Sequence, residues 1–167
     1  MARIHLYQDR LAEYNAHLQQ MQDIIAKAAP HRSYHLVLMQ LAHHRHSGDW
    51  SHISSLALVR DSYPFQARLQ ILSYKIQAEA YHRQTNPESV KALTRHFKQA
   101  MRRLDRSSQP QLASHAAYSL AYYYFVHQDI KKAENYLAIA KRIDYAYSLF
   151  GSLAYDLWLE AQLAIKA

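Results

Sequence analysis

The segment spanning residues 117–144, AYSLAYYYFVHQDIKKAENYLAIAKRID, most limits the folds that this chain can adopt. Small and bulky apolar residues recur in it at steps of three and four, which is the spacing of one helical face. Two helices pack closely only where one of them offers small side chains, here Ala121 and Ala133, to the bulk of the other. The pattern breaks at residues 127–129, where Asp129 can cap a second helix. The segment therefore predicts a pair of antiparallel helices joined by a short turn.

The spacing of this helix pair resembles a tetratricopeptide repeat, whose pattern is W-x2-L-G-x2-Y, then A-x3-F, then an A and a P. The residues of this chain that stand at the successive positions before the final proline are Ala117, Leu120, Ala121, Tyr124, Ala133, Leu137 and Ala140. Tyr145 stands at the position of that proline, so the next turn is expected to differ from the usual one. The resemblance implies helix hairpins stacked as a short α-solenoid, with the first helix of each repeat lining a concave groove.

Looser copies of the same pattern occur before and after this segment. Residues that repeat its second helix stand earlier in the chain, at Leu93, Phe97 and Ala100. Alanines at the tight-contact position mark four equivalent first helices: Ala42, Ala78, Ala121 and Ala154. The last of these helices lacks a second helix of its own. The resemblance thus covers residues 33–166.

Composition supports an all-α fold. The chain contains 2 glycines among 167 residues, which argues against β-hairpins and glycine-rich phosphate loops. Abundant Ala, Leu, Gln, Lys and Arg favour helix, and this length fits a single domain, residues 1–167. About eight helices are predicted: residues 4–27, 32–45, 50–60, 64–83, 87–106, the two helices of the 117–144 segment, and 145–165.

The two ends of the chain suggest self-association. In the N-terminal segment, residues 1–30, apolar residues recur in a heptad pattern: Ile4, Tyr7, Leu11, Tyr14, Leu18, Met21, Ile25 and Ala28. Such a stripe either forms a coiled coil with a second copy or packs along the helices that follow it. A terminal repeat normally needs a polar outer face. The last helix carries so many apolar residues that little of its surface is polar. A homodimer through either helix is therefore a further expectation.

No feature of the sequence points to export or to a membrane. Cysteine is absent, so disulfides and thiolate sites are excluded. The N-terminus has no apolar signal core, and no run of 18 apolar residues occurs. We expect a cytoplasmic protein without a membrane span.

Candidate catalytic and metal-binding motifs are weak. Twelve histidines include an i, i+4 pair, His31 and His35, and a cluster near a helix end, His43, His44 and His46. The nearest carboxylate, Asp49, is expected to serve as a helix N-cap, and there is no HExxH or GxSxG motif. No carboxylate pair occupies an apolar setting that would raise a pKa. The sequence therefore predicts no enzyme, no cofactor and no metal site.

A basic stripe lies on the predicted fifth helix. Its members follow steps of four, three, four and four: Lys91, Arg95, Lys98, Arg102 and Arg106. The stripe could track phosphates, which makes a nucleic-acid-associated regulator one alternative function. The competing interpretation is the solvated face of a surface helix.

The aromatic residues suggest a different function. By the resemblance, the first helices line a groove that binds a partner segment. The residues predicted to face it are Lys75, Glu79, His82, His115, Tyr118, Tyr122, Phe125, Tyr155 and Trp158. Tyr122, Phe125 and Trp158 are predicted to anchor the partner, and Lys75, Glu79 and His82 to give polar selectivity. The predicted function is a non-enzymatic adaptor, chaperone or regulator that binds a partner protein or peptide. The third alternative is a self-assembling structural protein.

Overall fold

The computed structural model describes residues 11–28, 33–57, 59–104 and 110–166. Within these ranges the regular structure is helical, with eight α-helices and no strand, so the all-α prediction is confirmed. The helices are α1 (Leu11–Ala28), α2 (Tyr34–Ser47), α3 (Trp50–Leu56), α4 (Phe65–Tyr81), α5 (Pro87–Met101), α6 (Pro110–Val126), α7 (Ile130–Ala146) and α8 (Phe150–Lys166). None of these described helices combines the length and apolarity needed to cross a membrane.

Three helices begin at predicted capping residues: Asp49 and Asp129, as described above, and Asn86, for which the proline that follows it is a further signal of a helix start. Asp49, Asn86 and Asp129 each accept a hydrogen bond from the backbone N–H three residues later, at the starts of α3, α5 and α7. Each bond satisfies one of the donors that a helix start leaves unpaired. Pro87 occupies the first helical position of α5, where its missing N–H costs nothing.

Four helices end in the same kind of turn, because a residue with positive φ reverses the chain. These residues are Gly48 (φ 73°), Arg83 (53°), Gln128 (64°) and Ser148 (55°). In every case the next N–H bonds to the carbonyl five residues earlier, as Asp129 N does to Tyr124 O at 2.9 Å. This bond pattern satisfies carbonyls at the helix end. A recurring turn thus sets how α2, α4, α6 and α7 pass into the next helix.

Gln128→Gly is expected to raise the free energy of unfolding by about 0.5–1 kcal/mol. A side chain at positive φ is strained, and glycine relieves the strain at the cost of a more flexible unfolded chain. Urea denaturation of both proteins measures the difference. The matched control is Gln99→Gly in the interior of α5, which is expected to destabilise by about 1 kcal/mol. Equal losses in both variants would contradict the strain at residue 128.

The core is built from three clusters, each shared by consecutive helices. One joins α2, α3 and α4 around Leu41 and Ile53. The next joins α4, α5, α6 and α7 around Leu93 and Leu120. In the third, which joins α6, α7 and α8, the predicted small contacts lie buried beside the bulkier side chains. Packing also links α2 to α4, α4 to α6 and α6 to α8, so these four helices adjoin one another in sequence order.

Several predicted boundaries were wrong. The last helix begins at Phe150 rather than at 145, because α7 continues to Ala146 and the positive φ of Ser148 then turns the chain. Helix α3 ends at Leu56 rather than at 60, since Ala57 leaves helical geometry. Helix α5 ends at Met101 rather than at 106.

The N-terminal helix packs on its neighbour in the described structure. The predicted start of this helix and of its heptad stripe lies outside the described residues. Within α1, Ile25 is buried and Leu18 packs with Met39 and Ala42 of α2. This part of the stripe therefore lies along the following helices, whereas Ile24 beside it is exposed.

Candidate protein-binding surface

Four aromatic rings from α6 and α8 form the centre of the candidate site. Tyr118 and Tyr122 lie one turn apart on α6, and their rings are parallel within 9° at a centroid distance of 6.4 Å. From α8, the ring of Tyr155 lies 6.1 Å from that of Tyr118, and Trp158 lies 6.5 Å from Tyr122. The two rings on α6 are four residues apart and the two on α8 are three residues apart, and either spacing places both side chains on one face of a helix. The structure thus brings together four of the nine residues predicted for the groove.

The rings of α8 are the most accessible of this set. Tyr155 is 53% exposed and Trp158 is 50% exposed, whereas Tyr118 and Tyr122 are partly buried. The hydroxyl groups of both α6 tyrosines are protonated at neutral pH, as in any tyrosine, and burial raises their pKa further. The surface therefore combines apolar ring area with neutral hydroxyl donors.

Helix α4 contributes Tyr81 to the same surface. Its ring is 55% exposed and stacks on Trp50 of α3 at 5.5 Å. Tyr81 also borders an open cleft of about 270 Å³ together with Tyr122 and Arg83. The helical spacing of the apolar residues in α4, which include Leu69, Leu72, Ile76 and Ala80, predicts burial for Tyr81 as well. It is exposed because it is the last residue of α4, beside the turn at Arg83.

Arg45 extends from α2 into the aromatic surface. Its guanidinium carbon lies 5.0 Å from the centroid of the Tyr155 ring and 5.9 Å from that of Tyr74, within cation–π range. This contact connects helices that are more than one hundred residues apart in sequence. No pattern in α2 indicated Arg45, because its role depends on how α2, α4 and α8 are placed.

His115 belongs to the polar seam between α4 and α6. The Gln77 side-chain amide nitrogen donates to Ser119 Oγ at 2.7 Å and lies 3.0 Å from His115 Nε2. Burial, together with the Arg45 charge, lowers the pKa of His115 to about 3. The ring is therefore neutral at physiological pH, and its Nε2 can accept the Gln77 hydrogen bond. The contact of His115 with Gln77 therefore lies within the protein and not on the surface offered to a partner.

Two residues predicted for the groove have buried side chains. Glu79 is 4% exposed, and its Oε1 accepts hydrogen bonds from Asn86 Nδ2 at 3.1 Å and from Ser89 Oγ at 2.9 Å. Burial raises the pKa of Glu79. Phe125 is 8% exposed and packs in the cluster shared by α6, α7 and α8. Glu79 thus holds the start of α5, and neither side chain offers much surface to a partner.

The remaining predicted groove residues lie on or just after α4. Lys75 is partly buried in α4. His82 is exposed, and its ring meets the ring of Tyr81 edge-on at 5.4 Å. His82 therefore lies at the edge of the aromatic surface, next to a residue that the sequence did not assign to it.

The basic stripe of α5 faces solvent where the structure describes it. Lys91, Arg95, Lys98 and Arg102 are all exposed, and Arg106 lies outside the described residues. Nearby Arg103 places its guanidinium 5.7 Å from the Phe65 ring. Exposure of these cations is expected both for a surface that binds phosphates and for the solvated face of a surface helix.

One expectation about carboxylates was wrong. Asp144 of α7 and Asp156 of α8 are both buried and interact with each other. Burial, together with the Asp144 carboxyl, raises the pKa of Asp156 to about 7. The two residues stand on different helices, so no local motif revealed the pair.

Comparisons of the chain with protein-family models, with curated proteins and with solved structures find no match.

Proposed function

We propose that this protein is a non-enzymatic interaction module, an adaptor, chaperone or regulator, with stacked helix pairs like those of tetratricopeptide repeats. Its partner segment binds on the aromatic surface, defined as Tyr81, Tyr118, Tyr122, Tyr155 and Trp158. The observation that carries the proposal is the set of ring contacts between α6 and α8, in which Tyr155 and Trp158 are half exposed, together with the exposed Tyr81 of α4, which borders the same cleft as Tyr122. Exposed apolar patches of this kind are typical of protein-binding sites, and Tyr and Trp dominate binding energies.

The repeat architecture is supported by three regularities. Consecutive helices share three successive core clusters, and the same positive-φ turn ends four of the helices. Helices α2, α4, α6 and α8 also adjoin one another in order. Stacked repeats would produce such regularities, because each unit contacts only its neighbours.

The charges around the rings favour an acidic partner segment. Arg45 lies against Tyr155, and Arg83 borders the cleft beside Tyr122. Asp156, close enough to Tyr118 to raise its pKa, is buried. The chain carries a formal net charge of +7. A segment with an aromatic or aliphatic anchor flanked by carboxylates would complement this surface.

The test begins with capture of partners from a native lysate, followed by affinity measurement with the captured protein. Tyr122→Ala and Trp158→Ala are each expected to weaken binding by roughly 10- to 100-fold, as loss of a central aromatic residue does. Tyr145→Ala is the control, because Tyr145 is similarly exposed but stands on α7 outside the aromatic surface. Circular dichroism verifies that each variant is folded. Unchanged affinity in both ring variants would disprove the assignment.

Two alternatives have observations in their favour. The exposed cations on α5 favour a nucleic-acid-associated regulator, which predicts captured nucleic acid that dissociates as salt rises. The exposed Phe150, Leu157 and Ile165 on α8 favour a self-assembling protein, which predicts capture of the chain alone. The same capture experiment therefore separates the three functions.

A further inference from the structure

The turn between α2 and α3 brings together three side chains that can bind a metal ion. His44 stands in the last turn of α2, Asp49 caps α3, and His52 stands in the first turn of α3. Asp49 Oδ2 lies 2.6 Å from His52 Nδ1 and 3.4 Å from His44 Nδ1. The three ligand atoms all lie within 4.8 Å of one another. The sequence grouped His44 with its neighbours His43 and His46, but did not connect it with His52.

The turn between α6 and α7 provides an internal comparison. It has the same backbone, with a positive-φ residue at Gln128, an N-cap at Asp129, and the bond from Asp129 N to Tyr124 O. Tyr124 and Lys132 stand where the first turn has its two histidines. There Lys132 Nζ pairs with Asp129 Oδ2 at 2.6 Å. Capping therefore explains the aspartate in both turns, but it does not explain two imidazoles around the first one.

The geometry of Asp49 leaves one oxygen for a ligand. Its Oδ1 accepts the His52 backbone N–H at 3.3 Å, while Oδ2 faces the two imidazoles. His44 Nδ1 is buried and makes no hydrogen bond of normal geometry within the described part of the chain. The His44 and His52 rings are parallel within 7° at 4.8 Å. The capping bond thus orients the carboxylate, as the outer contacts of metal ligands do.

We propose that His44, Asp49 and His52 bind one divalent transition-metal ion of the zinc class, through the two Nδ1 atoms and Asp49 Oδ2. Two imidazoles and one carboxylate suit zinc, which binds such atoms at about 2.0–2.2 Å and takes water as its fourth ligand. Side-chain rotation in this exposed turn draws the three atoms to that distance. The ion then joins the end of α2 to the start of α3. This site is independent of the aromatic surface.

Titration of the full-length protein with Zn²⁺ against a chromophoric chelator tests the proposal. The wild type is expected to bind one ion with micromolar or tighter affinity. Asp49→Asn is the sharpest variant, because Asn caps helices as well as Asp does but is a far weaker ligand. We expect about a tenfold or greater loss of affinity for Asp49→Asn, for His44→Gln and for His52→Gln.

Asp129→Asn is the matched control, since it makes the same change in the equivalent turn, and it is expected to bind zinc as the wild type does. Circular dichroism confirms that all four variants are folded. If Asp49→Asn and His52→Gln bound zinc as tightly as the wild type, other histidines would hold the metal and the proposal would fail. Absence of tight zinc binding by the wild type would overturn it equally.

Discussion

Asp156→Asn is expected to stabilise the protein at pH 8 by on the order of 3 kcal/mol, and to have a much smaller effect near pH 4. The carboxyls of Asp144 and Asp156, on α7 and α8, are both 1% exposed. Burial, together with the neighbouring Asp144 carboxyl, raises the pKa of Asp156 to about 7 from an ordinary value of 3.8. An amide of the same shape removes the charge that the wild type must bury at alkaline pH.

The sign of the effect depends on whether the folded or the unfolded chain binds the proton of the Asp156 carboxyl more tightly. A raised pKa in the folded state means that the protonated carboxyl favours folding. Its stabilising contribution is complete below the unfolded-state pKa and is lost as the pH rises toward about 7. Two side chains that form an ion pair also act on this pKa, with Lys141 lowering it and Glu160 raising it. Burial and Asp144 outweigh Lys141.

Urea denaturation of both proteins from pH 4 to pH 8, a range that extends from near the ordinary pKa of 3.8 to above the raised pKa of about 7, measures this difference. His115 acts in the opposite direction, since its pKa is lowered to about 3 and stability is lost as the pH falls below its ordinary value of 6.5. Comparing variant with wild type at each pH cancels the His115 contribution. Asp61→Asn, at a fully exposed carboxylate, is the control and is expected to leave the pH profile unchanged. A constant difference between Asp156→Asn and wild type across the range would contradict the raised pKa.

Local signals in the sequence predicted most of the helical architecture. Asn86 followed by Pro87, and Asp129 after the break in the apolar pattern, mark helix starts through bonds made within three residues. The same logic failed at the start of α8. There the chain turns at Ser148, a non-glycine residue at positive φ that no local rule identifies. Boundaries were therefore predictable where a capping side chain defines them.

The candidate surface was predictable only in part, because spacing places residues on a helical face but does not fix how that face is turned toward its neighbours. Tyr118 and Tyr122 share a face at a helical step, as predicted. Arg45 reaches Tyr155 only because packing brings α2 near α8, a relation that the sequence does not encode locally. The buried pair of Asp144 and Asp156 escaped prediction for the same reason.

Ala121 and Ala154 stand at equivalent positions of the repeat pattern but differ in burial, so the same substitution is expected to change stability very differently at the two positions. Ala121 is fully buried with Ala133 and Leu137 in the cluster shared by α6, α7 and α8. Ala154 stands 33 positions further along, where the repeat pattern expects the same contact, but it is exposed. The difference has a physical reason, since α7 packs over Ala121, whereas no helix among the described residues covers Ala154. The four alanines of the pattern are therefore not equivalent in burial.

Ala121→Leu is expected to lower the free energy of unfolding by about 2–3 kcal/mol, because the added carbons must displace close-packed side chains between α6 and α7. Ala154→Leu, the same change on an exposed face, is expected to shift stability by less than about 0.5 kcal/mol, since Leu and Ala have similar helix propensities. Urea denaturation measures both. A loss in Ala154→Leu as large as in Ala121→Leu would contradict the exposure of that face. If that loss grew with protein concentration, a second copy would be covering α8, because stability then depends on association.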